Sequence, residues 1–255
     1  MQEISIIGYG KMAEAIACGL NSKFNLEIIG RDEDKILNLI KRNNLLNTTY
    51  KVINNKQIDI ESKVVILAIK PYALESFVYI NKASIVYSIL AGISIERLKK
   101  VCYSNLYCRV MPNIASTIRR GVSSIYLDNN SFKELTVEIW SAIGDVIFLD
   151  KESLINPSGV ISGSGPAYLG LIAEALIDAG IREGLSLDVS RKLVNGLFRG
   201  FGELLEHKSA IDIRLDTTSP GGTATEGIHV LEVAGVRGSI RKAIRRASKK
   251  ANNIS

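Results

Sequence analysis

The amino-acid sequence predicts an α/β protein in which a doubly wound, mostly parallel sheet is followed by an all-α region. Apolar strand patterns alternate with helical patterns through the first half, as in parallel sheets covered by helices. A glycine-rich turn joins the first strand to the first helix, and from residue 167 onward only helical periods occur. We therefore predict two domains, residues 1–155 and residues 156–255.

Hydrophobic periodicity defines the elements of the first domain. Glu3–Gly8 and Asn25–Gly30 are predicted strands, followed by helices over Lys11–Leu20 and Asp32–Asn43. Val64–Lys70 is an almost continuous apolar run, which indicates a strand covered on both faces. The same criterion predicts further strands at Ile85–Leu90, Tyr107–Val110, Val122–Leu127 and Val146–Leu149.

The second domain shows helical periods only. Ala167–Arg182 is predicted to be a helix that stops near Gly184, and a second helix begins at a cap near Ser186 or Asp188. Pro220–Gly222 interrupts the pattern once before it resumes. The second helix has an apolar stripe, typical of a helix that packs against others, formed by Leu193, Leu197, Phe201, Leu204 and Leu205.

Composition excludes several classes of function. The 255 residues are 46% hydrophobic, no apolar run is long enough to span a bilayer, and the start lacks the basic stretch of a signal peptide. Three cysteines without metal-site spacing indicate free thiols in a reducing cytoplasm. With only two histidines, a histidine metal site or a Ser-His-Asp triad is not expected, and we predict no bound metal.

The net charge of +6 comes from one segment. Seven basic residues lie between Arg237 and Lys250, and no acidic residue follows Glu232. The same segment has apolar residues at helical spacing, which predicts an amphipathic helix with a solvated basic face. We expect neither nucleic acid nor a membrane as a partner.

The glycine-rich turn predicts a dinucleotide site. Gly8, Gly10 and Ala13 follow the first strand with the spacing that lets a diphosphate reach backbone N–H groups at a helix start, and Lys11 and Met12 open that helix. This is the pattern of a Rossmann domain.

The residue after the second strand selects between dinucleotides. Arg31 stands where an NAD site has an acidic residue, and it is suited to a 2′-phosphate. We therefore predict NADPH as the cofactor, with NADH as the alternative. Ala68, Lys70 and Pro71 close the central strand at the edge where ligands bind in such sheets, which places Lys70 near the nicotinamide.

Two uncharged turns remain. Ser162–Tyr168 contains two glycines and two serines before a helix that opens at Pro166, and Ser219–Thr223 contains the pair Gly221 and Gly222. Backbone N–H groups at a helix start, together with short hydroxyls, hold an anion without a lysine or arginine. We interpret both turns as places where a small anion approaches the backbone.

These motifs together resemble those of the pyrroline-5-carboxylate reductases. The resemblance covers essentially the whole chain, through Gly8–Ala15, Ala68–Pro71, Arg109–Asn113, Ser162–Tyr168 with its continuation to Leu185, and Ser219–Thr223. It implies hydride transfer from NAD(P)H to the C=N bond of Δ1-pyrroline-5-carboxylate, which gives L-proline. It also implies a helical dimerisation domain that builds a homodimer, and in many members a ring of dimers.

The resemblance also implies roles for particular residues. Ser219 and Thr223 become candidate catalytic residues, and the cofactor site gains Asn55, Ala91, Gly92 and Asn113. The cyclic imino acid would contact Ser164, Ser219, Gly221, Gly222, Thr223 and Ala224. Ala224 departs from the family, in which a second threonine hydroxyl contacts the ring nitrogen and is a candidate proton donor. Here Ser219, Thr223 or a bound water takes that role, or activity is low.

Three alternatives remain open. Ala224 and the basic tail are compatible with a non-catalytic paralogue that binds NADPH and acts through protein partners. A reductase of another cyclic imine differs by as little as one methylene in the pocket. A 3-hydroxyacid dehydrogenase shares the nucleotide half, but the Ser219–Thr223 turn gives it no support.

Overall fold

A computed structural model describes residues 3–252, so the outer ends of both predicted domains lie outside it. The described residues form two compact units, residues 3–164 with 247–252, and residues 165–246. We call them the nucleotide unit and the helical unit.

The nucleotide unit is built on one eight-stranded sheet, with the order β8-β7-β6-β5-β4-β1-β2-β3. Every neighbouring pair is parallel except β6 and β7, which confirms the predicted mostly parallel sheet. The strands are β1 (Glu3–Ile7), β2 (Asn25–Gly30), β3 (Thr48–Val52), β4 (Val64–Leu67), β5 (Ile85–Ser88), β6 (Tyr107–Met111), β7 (Gly121–Leu127) and β8 (Gly144–Phe148).

Helices connect these strands. They are α1 (Lys11–Leu20), α2 (Glu33–Arg42), α3 (Ile95–Val101), α4 (Lys133–Ser141) and α5 (Ile155–Ser162), with short 3₁₀ helices at Pro71–Ser76, Ile114–Ile118, Asn130–Phe132 and Glu152–Leu154. The predicted boundaries of the first two helices are confirmed to within a residue, because caps define them: Gly10 precedes α1, and the Asp32 side chain accepts the Lys35 N–H at the start of α2.

A separate core lies on each face of the sheet. In strand β4, Val64 and Ile66 belong to one core and Val65 and Leu67 to the other, and all are at most 2% exposed. One core packs against α1, α2 and Trp140 of α4, and the second packs against the Pro71–Ser76 turn and α3. A strand buried on both faces is expected to be uniformly apolar, which is why this run identifies the centre of the sheet.

The helical unit contains α6 (Gly165–Arg182), α7 (Leu187–Leu205), α8 (Ala210–Asp216) and α9 (Thr223–Val233), and α10 (Val236–Asn252) begins in it. Ser186 is the cap of α7, since its side chain accepts the Val189 N–H, and Gly184 stops α6 with φ +93°. The expectation of a single interruption was wrong, because turns also separate α7 from α8 and α9 from α10.

The apolar stripe of α7 is largely exposed in the single chain, with Leu193 58% and Leu197 56% accessible. Helix α6 has no buried residue along its 18 residues. By length and composition alone, the stretch 152–182 is long and apolar enough to cross a membrane, and it is the only such stretch among the described residues. Glycines, serines, Glu174 and Asp178 divide this stretch, so it holds no uninterrupted apolar run of spanning length.

Candidate active site

The turn between β1 and α1 brings bare backbone to a helix start. Gly8 has φ +124° and donates its N–H to the Ile29 carbonyl at 2.9 Å. A Cβ at Gly8 would lie 2.5 Å from the Ala68 carbonyl oxygen, so only glycine fits between the adjacent strands. Gly10 is the N-cap of α1 and supplies no side-chain cap, and a Cβ there would meet open space. The first N–H groups of α1 therefore face an approachable surface.

A cavity of about 680 Å³ opens at this turn, along the carboxyl ends of β1, β2 and β4. Four of the described residues that line it are cationic and none is acidic. The cations are Lys11, Arg31, Lys35 and Lys70. The cavity is also lined by the predicted residues Gly8, Gly10, Met12 and Ala68. Tyr9, Tyr72 and Phe77 line it too, and the sequence predicted no role for these three. A cationic cavity at a helix N-terminus is suited to phosphate.

Arg31 is exposed, and its guanidinium carbon lies 5.4 Å from the centroid of the Phe77 ring. This cation–π contact orients the side chain over the cavity. Asp32, the neighbouring acid, is engaged elsewhere: it caps α2 and pairs with Lys35 at 2.7 Å. Hydrogen bonds from Lys35 hold the pKa of the Asp32 carboxyl below its ordinary value. Arg31 is thus the side chain at the end of β2 that remains presented to a ligand.

The other predicted cofactor residues do not line this cavity. Ala13 is buried beneath the turn, and Pro71 begins the 3₁₀ helix after β4. Asn55 is exposed and accepts the Gln57 N–H at 3.2 Å, while Ala91 and Gly92 follow β5, Gly92 with φ +76°. Their cofactor contacts stay predictions.

Asn113 is only 9% exposed, and its amide has structural partners. It donates to the Ser162 carbonyl at 3.2 Å and accepts the Val122 N–H at 3.4 Å. These bonds fix the end of α5 against the loop that follows β6. The predicted cofactor contact of Asn113 therefore competes with partners that its side chain already has.

The Ser162–Tyr168 segment differs from the open glycine loop that we expected. Helix α5 runs to Ser162, and the N–H groups of Gly163 and Ser164 both donate to the Gly159 carbonyl, at 2.9 and 3.0 Å. Gly163 is itself in the right-handed helical region. These two N–H groups are therefore not available to an anion, because the preceding helix uses them. The role of Ser164 as a substrate contact stays a prediction.

The Ser219–Thr223 turn has the geometry that the anion hypothesis requires. Gly221 has φ +69°, and Gly222 is the N-cap of α9 with its N–H bonded to the Ser219 carbonyl at 2.9 Å. Within the described residues no side chain caps α9. An ideal Cβ on Gly222 would lie 2.6 Å from the Ser219 hydroxyl, so this hydroxyl lies directly beside the helix start. Ala224 is exposed in the first turn of the helix.

Arg109 lies in the motif Arg109–Asn113, and the sequence alone predicted no role for it. The residue is 5% exposed, and its guanidinium contacts Glu152 at 3.4 Å and the Asn156 amide oxygen at 3.2 Å. Glu152 also accepts the Ile95 N–H at 2.8 Å. Burial lowers the pKa of Arg109, which the carboxylate of Glu152 opposes. These bonds connect β6 with α3 and with the segment that leads into α5. The sequence feature that could have predicted a buried ion pair here is the single arginine in the apolar strand Tyr107–Met111.

Metal and thiol chemistry have no candidate centre among the described residues. No group of three or more His, Cys, Asp or Glu side chains there is placed to hold a metal ion. Cys18, Cys102 and Cys108 are free. Burial raises the pKa of all three thiols, that of Cys102 to about 11 and that of Cys108 well above its usual range, so none is mainly a thiolate at neutral pH.

A doubly wound sheet with a glycine turn and an acid-free cationic cavity defines the class of dinucleotide-dependent oxidoreductases. Comparison with known families agrees. Residues 3–92 match the family described as NADP oxidoreductase, coenzyme F420-dependent, and residues 152–254 match pyrroline-5-carboxylate reductase dimerisation.

Relatives that match nearly the whole chain identify the family within this class of oxidoreductases. The pyrroline-5-carboxylate reductase of Helicobacter pylori is 37% identical over 98% of this chain and 99% of its own. The structure of such a reductase from Coxiella burnetii superposes with a TM-score of 0.82 at 27% identity, covering 99% of this chain and 98% of that one. The Plasmodium falciparum enzyme with NADP bound shares the fold, with a TM-score of 0.80 at 24% identity and 99% coverage of both chains. The chain belongs to the pyrroline-5-carboxylate reductase family.

Proposed function

We propose that this protein reduces Δ1-pyrroline-5-carboxylate to L-proline with NADPH, the closing step of proline biosynthesis. The observation that carries the proposal is the open start of α1 beneath an acid-free cationic cavity, in a chain that matches these reductases along its full length. The Ser219–Thr223 turn supplies the matching site for a small carboxylate.

The residues of the cavity fit NADPH. Gly8 and Gly10 leave room for a diphosphate at the first N–H groups of α1, and Lys11 adds a positive charge at the same helix start. Arg31 fits the 2′-phosphate that distinguishes NADPH from NADH. When bound, the cofactor supplies the hydride that reduces the C=N bond. Lys70 is exposed at the end of the central strand, and we assign it to positioning the nicotinamide.

The Ser219–Thr223 turn fits the substrate. The uncapped N–H groups of α9 and the Ser219 and Thr223 hydroxyls bind the carboxylate, with Gly221, Gly222 and Ala224 leaving space for it. A protonated imine needs only the hydride, while a neutral imine also takes a proton, for which Ser219, Thr223 or a bound water is the donor. Binding that fixes the imine carbon against the cofactor provides most of the rate enhancement.

Steady-state turnover tests the proposal. We expect NADPH oxidation that depends on pyrroline-5-carboxylate and yields L-proline in equal amount. A six-membered cyclic imine serves as the comparison, and a higher kcat/KM for it would assign the protein to another ring size. Saturating NADPH without turnover of either imine would favour a non-catalytic paralogue.

Replacement of Arg31 by alanine is expected to weaken NADPH selectively. Charge-assisted hydrogen bonds to a phosphate are worth about 1.5–3 kcal/mol, which corresponds to about a 100-fold loss of kcat/KM for NADPH. NADH, which lacks the 2′-phosphate, should change less than about threefold. Lys35→Ala is the matched control, since Lys35 lines the same cavity but is paired with Asp32. An equal loss for both cofactors would refute the assignment of Arg31.

We further propose that the helical unit forms a homodimer, and that dimers associate into a larger ring. The exposed apolar residues of α6 and α7 support the first step, since a partner chain would bury them. The same contact gives the apolar stretch 152–182 a protein partner rather than a lipid one. Three free cysteines support a cytoplasmic location. The compact units divide between residues 164 and 165. The domain boundary between residues 155 and 156 is still a proposal.

A further inference from the structure

We propose that Thr225 is a positioning residue, whose hydroxyl holds the Ser219–Gly222 turn in the conformation that receives the substrate carboxylate. The inference rests on the proposed function, because the conformation of this turn affects catalysis only if the substrate binds there.

Two bonds from Thr225 return to the turn. Its hydroxyl donates to the Ser219 carbonyl oxygen at 2.7 Å, and its N–H donates to the Gly222 carbonyl at 3.1 Å. The Gly222 N–H also donates to the Ser219 carbonyl, at 2.9 Å. The Ser219 carbonyl oxygen thus accepts from Gly222 in the Ser219–Thr223 turn and from Thr225 in the first turn of α9. Thr225 is half-buried.

The turn needs such a bond because its backbone is otherwise weakly restrained. Gly221 is exposed with φ +69°, and Gly222 follows it directly. Glycines lose more conformational freedom on ordering than other residues, so an unrestrained turn would order only when the ligand binds. A bond that orders the turn in advance lowers the entropy cost of binding and keeps the Ser219 hydroxyl at the helix start.

The same bond excludes Thr225 as a replacement for the hydroxyl that is missing at Ala224. A threonine hydroxyl has one proton, and Thr225 donates it to the Ser219 carbonyl. Its contribution is therefore the geometry of the turn, and proton donation stays with Ser219, Thr223 or a water.

The variants Thr225→Val and Thr225→Ser test the inference. Valine keeps the branched shape and loses the hydroxyl, whereas serine keeps the hydroxyl. Thr217→Val is the matched control, because Thr217 is exposed and its hydroxyl bonds only to α8, at 2.8 Å to the Ile213 carbonyl and 3.1 Å to the Arg214 carbonyl.

Two measurements on the full-length protein distinguish the effect of the Thr225–Ser219 bond on the order of the turn from its effect on substrate binding. Hydrogen–deuterium exchange over residues 216–226 should accelerate about tenfold in Thr225→Val and remain unchanged in Thr225→Ser and Thr217→Val. The kcat/KM for pyrroline-5-carboxylate should fall about tenfold in Thr225→Val, mainly through KM, with NADPH affinity unchanged and activity restored by serine.

Other outcomes overturn the inference. Unchanged exchange in Thr225→Val would show that the hydroxyl does not order the turn. Faster exchange with unchanged KM would show that the order of the turn does not matter for binding. A loss that serine fails to restore would point to packing instead. If the wild-type protein turned over no pyrroline-5-carboxylate, the proposed function would fail, and the exchange measurement would still decide whether Thr225 restrains the turn.

Discussion

Gly8→Ala is expected to abolish measurable NADPH binding and to lower the free energy of unfolding by about 3 kcal/mol. Gly8 has φ +124°, and a Cβ there would lie 2.5 Å from the Ala68 carbonyl oxygen and 2.7 Å from its carbon. Both contacts are with backbone atoms of the residue that directly follows β4, so no rotamer change relieves them. The strands must separate, and the phosphate turn moves with them.

Gly10→Ala provides the contrast to Gly8→Ala within the same turn. Its Cβ would meet nothing within 4 Å, and φ is −79°, so the free energy of unfolding should change by less than about 1 kcal/mol. The methyl group would instead occupy the space through which a diphosphate reaches the N–H groups of α1, and the Kd for NADPH should rise about 100-fold. Isothermal titration and denaturant unfolding measure the two effects. Normal NADPH binding by Gly10→Ala would exclude this helix start as the phosphate site.

Gly222→Ala is expected to lower kcat/KM for pyrroline-5-carboxylate about 100-fold while stability and NADPH affinity stay nearly constant. The new Cβ would lie 2.6 Å from the Ser219 hydroxyl and 3.1 Å from the Ser219 carbonyl. Because φ of Gly222 is −77°, alanine itself is unstrained there. The hydroxyl is the atom that can move, and its displacement disturbs the substrate site rather than the fold.

A double-mutant cycle with Ser219→Ala checks this explanation. If Gly222→Ala acts by displacing the Ser219 hydroxyl, the two losses should not add, and the double variant should resemble the worse single one. Full additivity would mean that the methyl group blocks the carboxylate directly. Activity of Gly222→Ala equal to that of the wild type would remove the Ser219–Thr223 turn from the substrate site.

Elements with a strong local pattern could be predicted from the sequence. The uniformly apolar Val64–Leu67 run identified the centre of the sheet, and the Gly8–Ala13 spacing identified its phosphate turn. Strand β3 was missed because its residues, Thr48–Val52, lie at the edge of the sheet and are mostly exposed, so no apolar pattern marks it. Helix α5 was missed because Pro157 and Gly159 lower its helical propensity.

The candidate site could be predicted only as far as local chemistry decides it. Composition suggested an open loop at Ser162–Gly165. Whether a backbone N–H there is free depends on the preceding helix, and the Gly159 carbonyl accepts those of Gly163 and Ser164. The contact between Arg31 and Phe77 joins residues 46 positions apart, and that between Arg109 and Glu152 joins residues 43 apart. No periodicity in a single chain encodes such pairs.

The sequence by itself determined the class of fold, the dinucleotide turn, the arginine after the second strand and the two glycine-containing turns. These depend on backbone freedom, periodicity and charge, which act over a few neighbouring residues. Only the tertiary structure decided which cations share the cavity, which N–H groups remain open, and that the Thr225 hydroxyl is bonded to Ser219. These outcomes depend on distances between segments far apart in the chain, and packing of the whole molecule sets those distances.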